Sequence, residues 1–232
     1  MVDLTASTQS DLAELVNSSV AKSGEVIAAE YQSNGRGRLD RTFEAPPQSA
    51  LLFSFFIKPK QERSNWSFIS FLAALVMHEV ISESLKESLE ENVSLKWPND
   101  ILIGDKKVAG LLAQQIGEGV IVGIGLNVAM SADELPVPTA TSLALARSNN
   151  LDRNLLLCAF LNRFEIMFNE WESGSDFLEK YRQVSSTLGR QVRVEVLGRD
   201  PIEAKAVSIT AQGALILSDG TEVNVGDVVH LR

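Results

Sequence analysis

Cysteine is nearly missing from this chain: Cys158 is the only one in 232 residues. An internal disulfide is therefore excluded, and a reducing compartment fits. Histidine is almost as scarce, with two copies. His78 has no second metal-type ligand at suitable spacing, and nothing in the order of residues suggests a Cys–His or Ser–His catalytic pair. Cys158, in a predicted helix, is expected to be a core residue rather than a nucleophile. No apolar run is long enough to cross a bilayer. The opening residues, Met1 to Thr5, lack the basic region and apolar core of a signal peptide. Positive charge is in deficit: 21 Lys and Arg against 30 Asp and Glu leave a net charge of −9. That balance argues against a nucleic-acid surface, which needs clustered basic residues. A predicted helix starts almost at once, so no upstream DNA-binding domain is expected. These absences point to a soluble cytoplasmic protein with no nucleic-acid or membrane partner.

What the chain does have is concentrated. With 45% hydrophobic residues it can build a substantial core as one large domain, or a large and a small one. The stretch Gln32-Ser33-Asn34-Gly35-Arg36-Gly37-Arg38-Leu39-Asp40-Arg41 lies between two apolar runs, so it reads as a loop joining two strands. Gly35 and Gly37 let the backbone approach a ligand, and Arg36, Arg38 and Arg41 crowd three permanent cations into six residues. Such crowding calls for an anion, and guanidinium suits carboxylates and phosphates.

The rest divides by periodicity. Ser7 to Asp11 opens a helix carrying Leu12, Leu15, Val16 and Val20 on one stripe. Glu25–Tyr31 and Leu51–Ile57 read as strands. A helix capped by Ser64 or Asn65 runs to about Leu89. Ser94–Ile103 is a strand that must break or bulge at Pro98, leaving Asn99 and Asp100 at a bend. Gly104-Asp105 turns a hairpin into Lys106–Ala113, and Val120–Val128 follows with Gly123 and Gly125 alternating along it. Those glycines leave either a groove for something slender or room for a helix. Residues 129–150 read as a loop without aromatics, and two helices, about Asp152–Glu172 and Ser175–Ser185, follow. From Leu188 five short strands and tight turns suggest a small barrel, with a boundary near Thr187–Gly189.

Three stretches together resemble the biotin protein ligases: Gly35-Arg36-Gly37-Arg38 after Glu30-Tyr31-Gln32; Lys96-Trp97-Pro98-Asn99-Asp100 with Lys107-Val108-Ala109-Gly110; and Gly123-Ile124-Gly125-Leu126-Asn127. Ser7-Thr8-Gln9 is similar to the family's Ser-Thr-Asn opening. The resemblance implies an α+β fold: a mixed sheet with helices on one face, like class II synthetases, over residues 1–187, and an SH3-like β-barrel over 188–232. It implies biotinyl-5′-AMP formation from biotin and MgATP, then transfer of biotin to a lysine of a biotin carboxyl carrier protein. Mg2+ would come with ATP rather than occupy a dedicated protein site. Carried over by motif, Lys107, Arg38 and Asp100 would be catalytic, with Asp100 orienting the site and either receiving the acceptor lysine or holding the metal. Ser7, Thr8, Gln32, Gly35, Arg36, Lys107, Leu111, Leu112 and Gly123 would bind biotin. Arg36, Arg38, Arg41, Lys96, Asn99, Asp100 and Asn127 would bind ATP and the adenylate, with the arginines on a loop that orders as ligand binds.

Two positions depart from the family pattern. Asp40 stands where members commonly have glycine, and is expected to pair with Arg38 or Arg41. The family's adenine-stacking tryptophan has no counterpart in 129–150. Rival readings are a lipoate or octanoate ligase, a non-catalytic biotin or nucleotide module, and a biotin-responsive repressor. The oligomeric state, monomer or homodimer, stays open.

Overall fold

A computed structural model describes residues 1–38, 41–85, 92–196 and 198–231. The described elements run α1 (Thr8–Asn17), β1 (Val26–Ala29), β2 (Ala50–Ile57), α2 (Phe68–Ser84), β3 (Val93–Lys96), β4 (Asp100–Ile103), β5 (Lys106–Ile116) and β6 (Gly119–Asn127). They continue with α3 (Arg153–Glu172), α4 (Leu178–Gln183), β7 (Gln191–Glu195), β8 (Ile202–Ile209), β9 (Leu215–Leu217), β10 (Glu222–Val223) and β11 (Asp227–His230).

Six strands form one sheet in the order β1-β2-β6-β5-β4-β3, and every neighbouring pair is antiparallel. Among the described residues parallel pairing enters as isolated bridges: Val2 with Ala29 and Thr5 with Gln32 along the amino-terminal segment, Leu95 with Ser185, and Lys107 with Ala140. The sequence of β2, ALLFSFFI, explains why it is central: every residue is buried, so both faces must be covered. Its alternate residues go opposite ways. Phe53 and Phe55 pack on Phe160 and Phe164 of α3, with Phe55 and Phe164 ring centres 4.6 Å apart. Phe56 packs on Leu12 of α1 and Ile121 of β6. The two long helices, α2 and α3, therefore share one face, while α1 covers part of the other. The expectation of helices on a single face holds for the long pair; α1 differs because the second face of β2 and β6 is also apolar, at Phe56 and Ile121, and needs a cover of its own.

Several sequence expectations move by a few residues. Val20 is exposed, because α1 ends at Asn17 and Ser19 turns with φ of 59°. A 3₁₀ turn at Arg63–Asn65 precedes α2, which starts at Phe68 rather than at a Ser64 or Asn65 cap. The expected end of that helix near Leu89 lies outside the described residues. Cys158 is exposed on α3 and not in the core, which is built instead from Leu156, Phe160, Phe164, Met167 and Trp171. His78 packs with Nε2 3.1 Å from the Val93 carbonyl, and burial lowers its pKa. As Pro98 requires, the strand breaks: β3 and β4 are separate, with a cis Trp97-Pro98 peptide between them.

The carboxy-terminal strands form a second antiparallel sheet, β10-β9-β8-β7-β11. Its apolar residues belong to the same core cluster as α2 and the large sheet. Trp97 Nε1 donates to the Gly213 carbonyl at 2.9 Å, and Trp97 N–H donates to Thr187 Oγ1 at 3.0 Å. A side chain at Gly213, whose φ is +86°, would meet Phe71. The small sheet is thus anchored through the Lys96–Asp100 segment, next to the site described below. Among the described residues, no helix is long and apolar enough to cross a membrane.

Candidate functional site

Strand register builds the floor of a pocket on the face that α1 partly covers. Ser54 of β2 lies opposite Gly123 of β6, Gly123 opposite Leu112 of β5, Gly125 opposite Gly110, and Gly110 opposite Asp100 of β4. The glycines keep this floor low. A Cβ at Gly125 would lie 2.6 Å from the Phe43 ring, and one at Gly123 would lie 2.5 Å from Gln9 Oε1. Both readings open for these glycines have a share: Gly123 and Gly125 line the pocket, while Gln9 of α1 packs close on Gly123 and the Phe43 ring on Gly125.

One end of the pocket is polar and uncharged. Thr8 donates to Gln32 Oε1 from its backbone N–H at 2.8 Å and from its hydroxyl at 3.0 Å, and Ser54 Oγ is 2.8 Å from Thr8 Oγ1. With the threonine proton committed to Gln32, Ser54 supplies the proton of that last bond. Gln9 is 3% exposed, and among the described residues its Nε2 has no hydrogen-bond partner. A buried amide donor without an acceptor costs about 1–3 kcal/mol, so this end suits a ligand that brings an acceptor.

The other end carries charge. Arg36, Arg38, Arg41 and Lys107 line it with two carboxylates, Asp100 and Asp227. Lys107 Nζ pairs with Asp100 Oδ1 at 2.6 Å. Arg38 Nη1 donates to the Gly226 carbonyl at 3.2 Å and to Asn99 Oδ1 at 3.4 Å, and lies 3.8 Å from Asp227 Oδ1. Asn99 is held in that orientation because its Nδ2 donates to the Leu111 carbonyl at 2.7 Å. Arg41 Nη2 meets Asp227 Oδ2 at 2.5 Å. Burial lowers the pKa of Arg38; Asp227 and Asp100 oppose that shift, and Arg41 adds to it. Four cations against two carboxylates leave this end of the pocket net positive, which is the condition for capturing a phosphate or carboxylate. Asp40, the expected partner of these arginines, lies outside the described residues; their described carboxylate partner is Asp227.

Most of the motif residues converge. Ser7, Thr8, Gln32, Arg36, Arg38, Arg41, Asn99, Asp100, Lys107, Leu111, Leu112 and Gly123 all line the one pocket. Leu111 belongs with the core cluster, so Leu112 presents the aliphatic side chain. Three residues lie outside the lining. Gly35 sits behind it, where a Cβ would collide with the Phe43 carbonyl and approach Gln32 Nε2 to 2.9 Å. Lys96 is on β3, opposite Asp100 in register. Asn127 is buried, its Nδ2 donating to the Thr141 carbonyl at 2.9 Å; it ties down the loop that also bridges Lys107 to Ala140. Sequence reasoning missed Gln9, Phe43, Ser54 and Asp227. Gln9 closes the Ser7-Thr8-Gln9 motif, which was the signal for it, but it was given no role; nothing local marked Asp227, which comes from the other sheet.

The chain matches the Biotin/lipoate A/B protein ligase family over residues 1–131 and the Biotin protein ligase C terminal domain over 187–231. It is 34% identical to a biotin–[acetyl-CoA-carboxylase] ligase of Mycobacterium tuberculosis, over 100% of this chain and 88% of that protein. It is 31% identical to the bifunctional ligase/repressor BirA of Escherichia coli, over 91% of this chain and 67% of that one. Its fold superposes on a biotin protein ligase of Aquifex aeolicus, solved in complex with biotin and ATP, with TM-score 0.79, 30% identity and coverage of 100% and 97%. With that family's model matched over more than half of the chain and a ligase 34% identical across all of it, the protein belongs to the biotin protein ligase family.

Proposed function

We propose that the protein attaches biotin to a lysine of a biotin carboxyl carrier protein, using ATP and passing through a bound biotinyl-5′-AMP. The observation that carries this reading is the two-ended pocket: a neutral hydrogen-bonding end at Thr8, Gln9, Gln32 and Ser54, and a cationic end at Arg36, Arg38, Arg41 and Lys107. Biotin has the matching asymmetry, a ureido ring at one end and a carboxylate at the other. A lipoyl group would put an apolar dithiolane against Thr8, Gln9 and Ser54 and leave Gln9 Nε2 unsatisfied, so biotin is favoured over that rival.

The carboxylate and the triphosphate repel each other, and the arginines and Lys107 offset that repulsion while holding the two in line. A carboxylate oxygen attacks the α-phosphorus, the α–β phosphoanhydride breaks, and pyrophosphate leaves. Mg2+ enters as part of the substrate MgATP and spreads the charge of the leaving group. Lys107 leaves Asp100 to serve the anions, which frees the Asp100 carboxylate to take the proton of the incoming carrier ammonium. The neutral amine then attacks the acyl carbon, the acyl–oxygen bond breaks, and AMP departs. Gln32, Thr8, Ser7 and Gly35 shape the biotin end. Lys96 and Asn127 support the adenylate end from behind the pocket wall. Residues 1–187 act as the biotin- and ATP-binding domain and 188–232 as a small second domain, in a cytoplasmic enzyme.

Mass spectrometry of the protein after incubation with biotin and MgATP tests this reading. A bound species with the mass of biotinyl-AMP, absent when lipoate replaces biotin, is the expected result. The same species with lipoate and not with biotin would overturn it.

A further inference from the structure

The arginines of the pocket loop are held from the other domain. The turn before β11 projects Gly226 and Asp227 to the pocket, where Asp227 is part of the lining. Its carboxylate lies between two cations, 2.5 Å from Arg41 Nη2 and 3.8 Å from Arg38 Nη1, while the neighbouring Gly226 carbonyl accepts from Arg38. The Asp227 side chain is 18% exposed and that of Arg38 19%, so these charges are only partly screened. Other features fix the turn. β11 pairs with β7 from Asp227–Glu195 to His230–Val192, and a Cβ at Gly226 would lie 3.0 Å from the Glu195 carbonyl. Of the two arginines Arg41 is the more open, its side chain 68% exposed against 19% for Arg38.

Resting on the biotin-ligase reading above, we propose that Asp227 is a positioning residue for adenylation. From the small domain it holds Arg38 and Arg41 at the pocket mouth, so that they are already in place for the phosphates of ATP. Two guanidiniums side by side repel each other, and without a carboxylate between them the site would have to gather them as the nucleotide arrives. That ordering cost would appear in the ATP affinity. The biotin end, at Thr8, Gln32 and Ser54, does not contact Asp227, so biotin affinity should be spared.

Asp227→Asn keeps the shape and removes the charge, and Asp227→Glu keeps the charge on a longer arm. For Asp227→Asn, the KM for ATP in biotin-dependent pyrophosphate exchange should rise by about tenfold, with the KM for biotin within about twofold of wild type. Asp227→Glu should recover most of the loss. Trypsin cleavage after Arg36, Arg38 and Arg41 in the ligand-free protein should quicken in Asp227→Asn and not in Asp227→Glu; this readout does not depend on the protein being a biotin ligase. An ATP KM that is unchanged or lowered in a folded Asp227→Asn protein would overturn the proposal. A parallel loss for both substrates, together with a lowered melting temperature that glutamate does not restore, would overturn it too and leave Asp227 a merely structural residue. Failure of the wild type to show any biotin-dependent exchange would instead count against the biotin-ligase reading, with the trypsin comparison still deciding the role of Asp227.

Discussion

Replacing Lys107 by alanine separates what this side chain does for the reaction from what it does for the fold. Lys107 pairs with Asp100 at 2.6 Å, with side chains 39% and 23% exposed. A pair so open to solvent contributes about 0–1 kcal/mol to stability, so the melting temperature should fall by no more than a few degrees. Catalysis should respond on another scale. As a carboxylate and an α-phosphate close on each other, a cation about 4 Å away is worth about 4 kcal/mol at an effective dielectric constant near 20. Losing it predicts a fall of about 10²–10³ in the rate of pyrophosphate release. Lys107→Arg keeps the charge in a wider, planar group and should fall between the two. The assay is single-turnover pyrophosphate release with saturating biotin and MgATP, paired with a thermal melt. A rate within about tenfold of wild type would refute the role. A melting temperature lowered by much more than a few degrees would refute the separation of site from fold.

The other predictions follow from close contacts and charge. Gly125→Ala would put a Cβ 2.6–2.8 Å from three atoms of the Phe43 ring; forcing the ring aside costs about 1–3 kcal/mol, and the KM for biotin should rise, whereas an unchanged KM would mean that Phe43 is not part of the wall. Saturating biotin and MgATP should slow trypsin cleavage after Arg36, Arg38 and Arg41 as anions engage the guanidiniums; equal rates with and without ligand would contradict this. His230 Nε2 lies 3.1 Å from Thr187 Oγ1, and burial, followed by Lys96 and Arg190, lowers its pKa from the ordinary 6.5 to about 4. The folded state thus resists protonation that the unfolded chain accepts, so this contribution to stability is present above pH 6.5 and is lost as pH falls towards 4. Over that window the melting temperature of wild type should fall more steeply than that of His230→Gln, and parallel curves would show that His230 does not couple to folding.

How much of this was legible in the sequence depended on whether the signal was local. The break at Pro98, the hairpin at Gly104-Asp105 and the largely apolar β2 follow from rules that act within a few residues, and each appears where those rules put it. The pocket was legible because its parts are contiguous motifs, and the register of β2, β6, β5 and β4 brings them onto one face. Ser54 was hidden inside an apolar run, its role visible only once β2 was known to have a pocket on one side. Asp227 was hidden by distance: Arg38 and the Gly226 carbonyl are 188 positions apart, joined by the docking of two sheets that no local pattern encodes. Cys158 and Val20 misled for the opposite reason, since helical spacing alone cannot say where a helix stops or which flank of its stripe stays uncovered.

The central claim is that the biotin carboxylate itself attacks the α-phosphorus inside this pocket and that the acyl–oxygen bond breaks in the second step. Biotin labelled with ¹⁸O in both carboxylate oxygens, supplied with MgATP and a carrier domain, tests it in a single turnover. The account predicts AMP carrying one ¹⁸O atom, unlabelled pyrophosphate, and an amide retaining the other. Unlabelled AMP, or label in pyrophosphate, would contradict it.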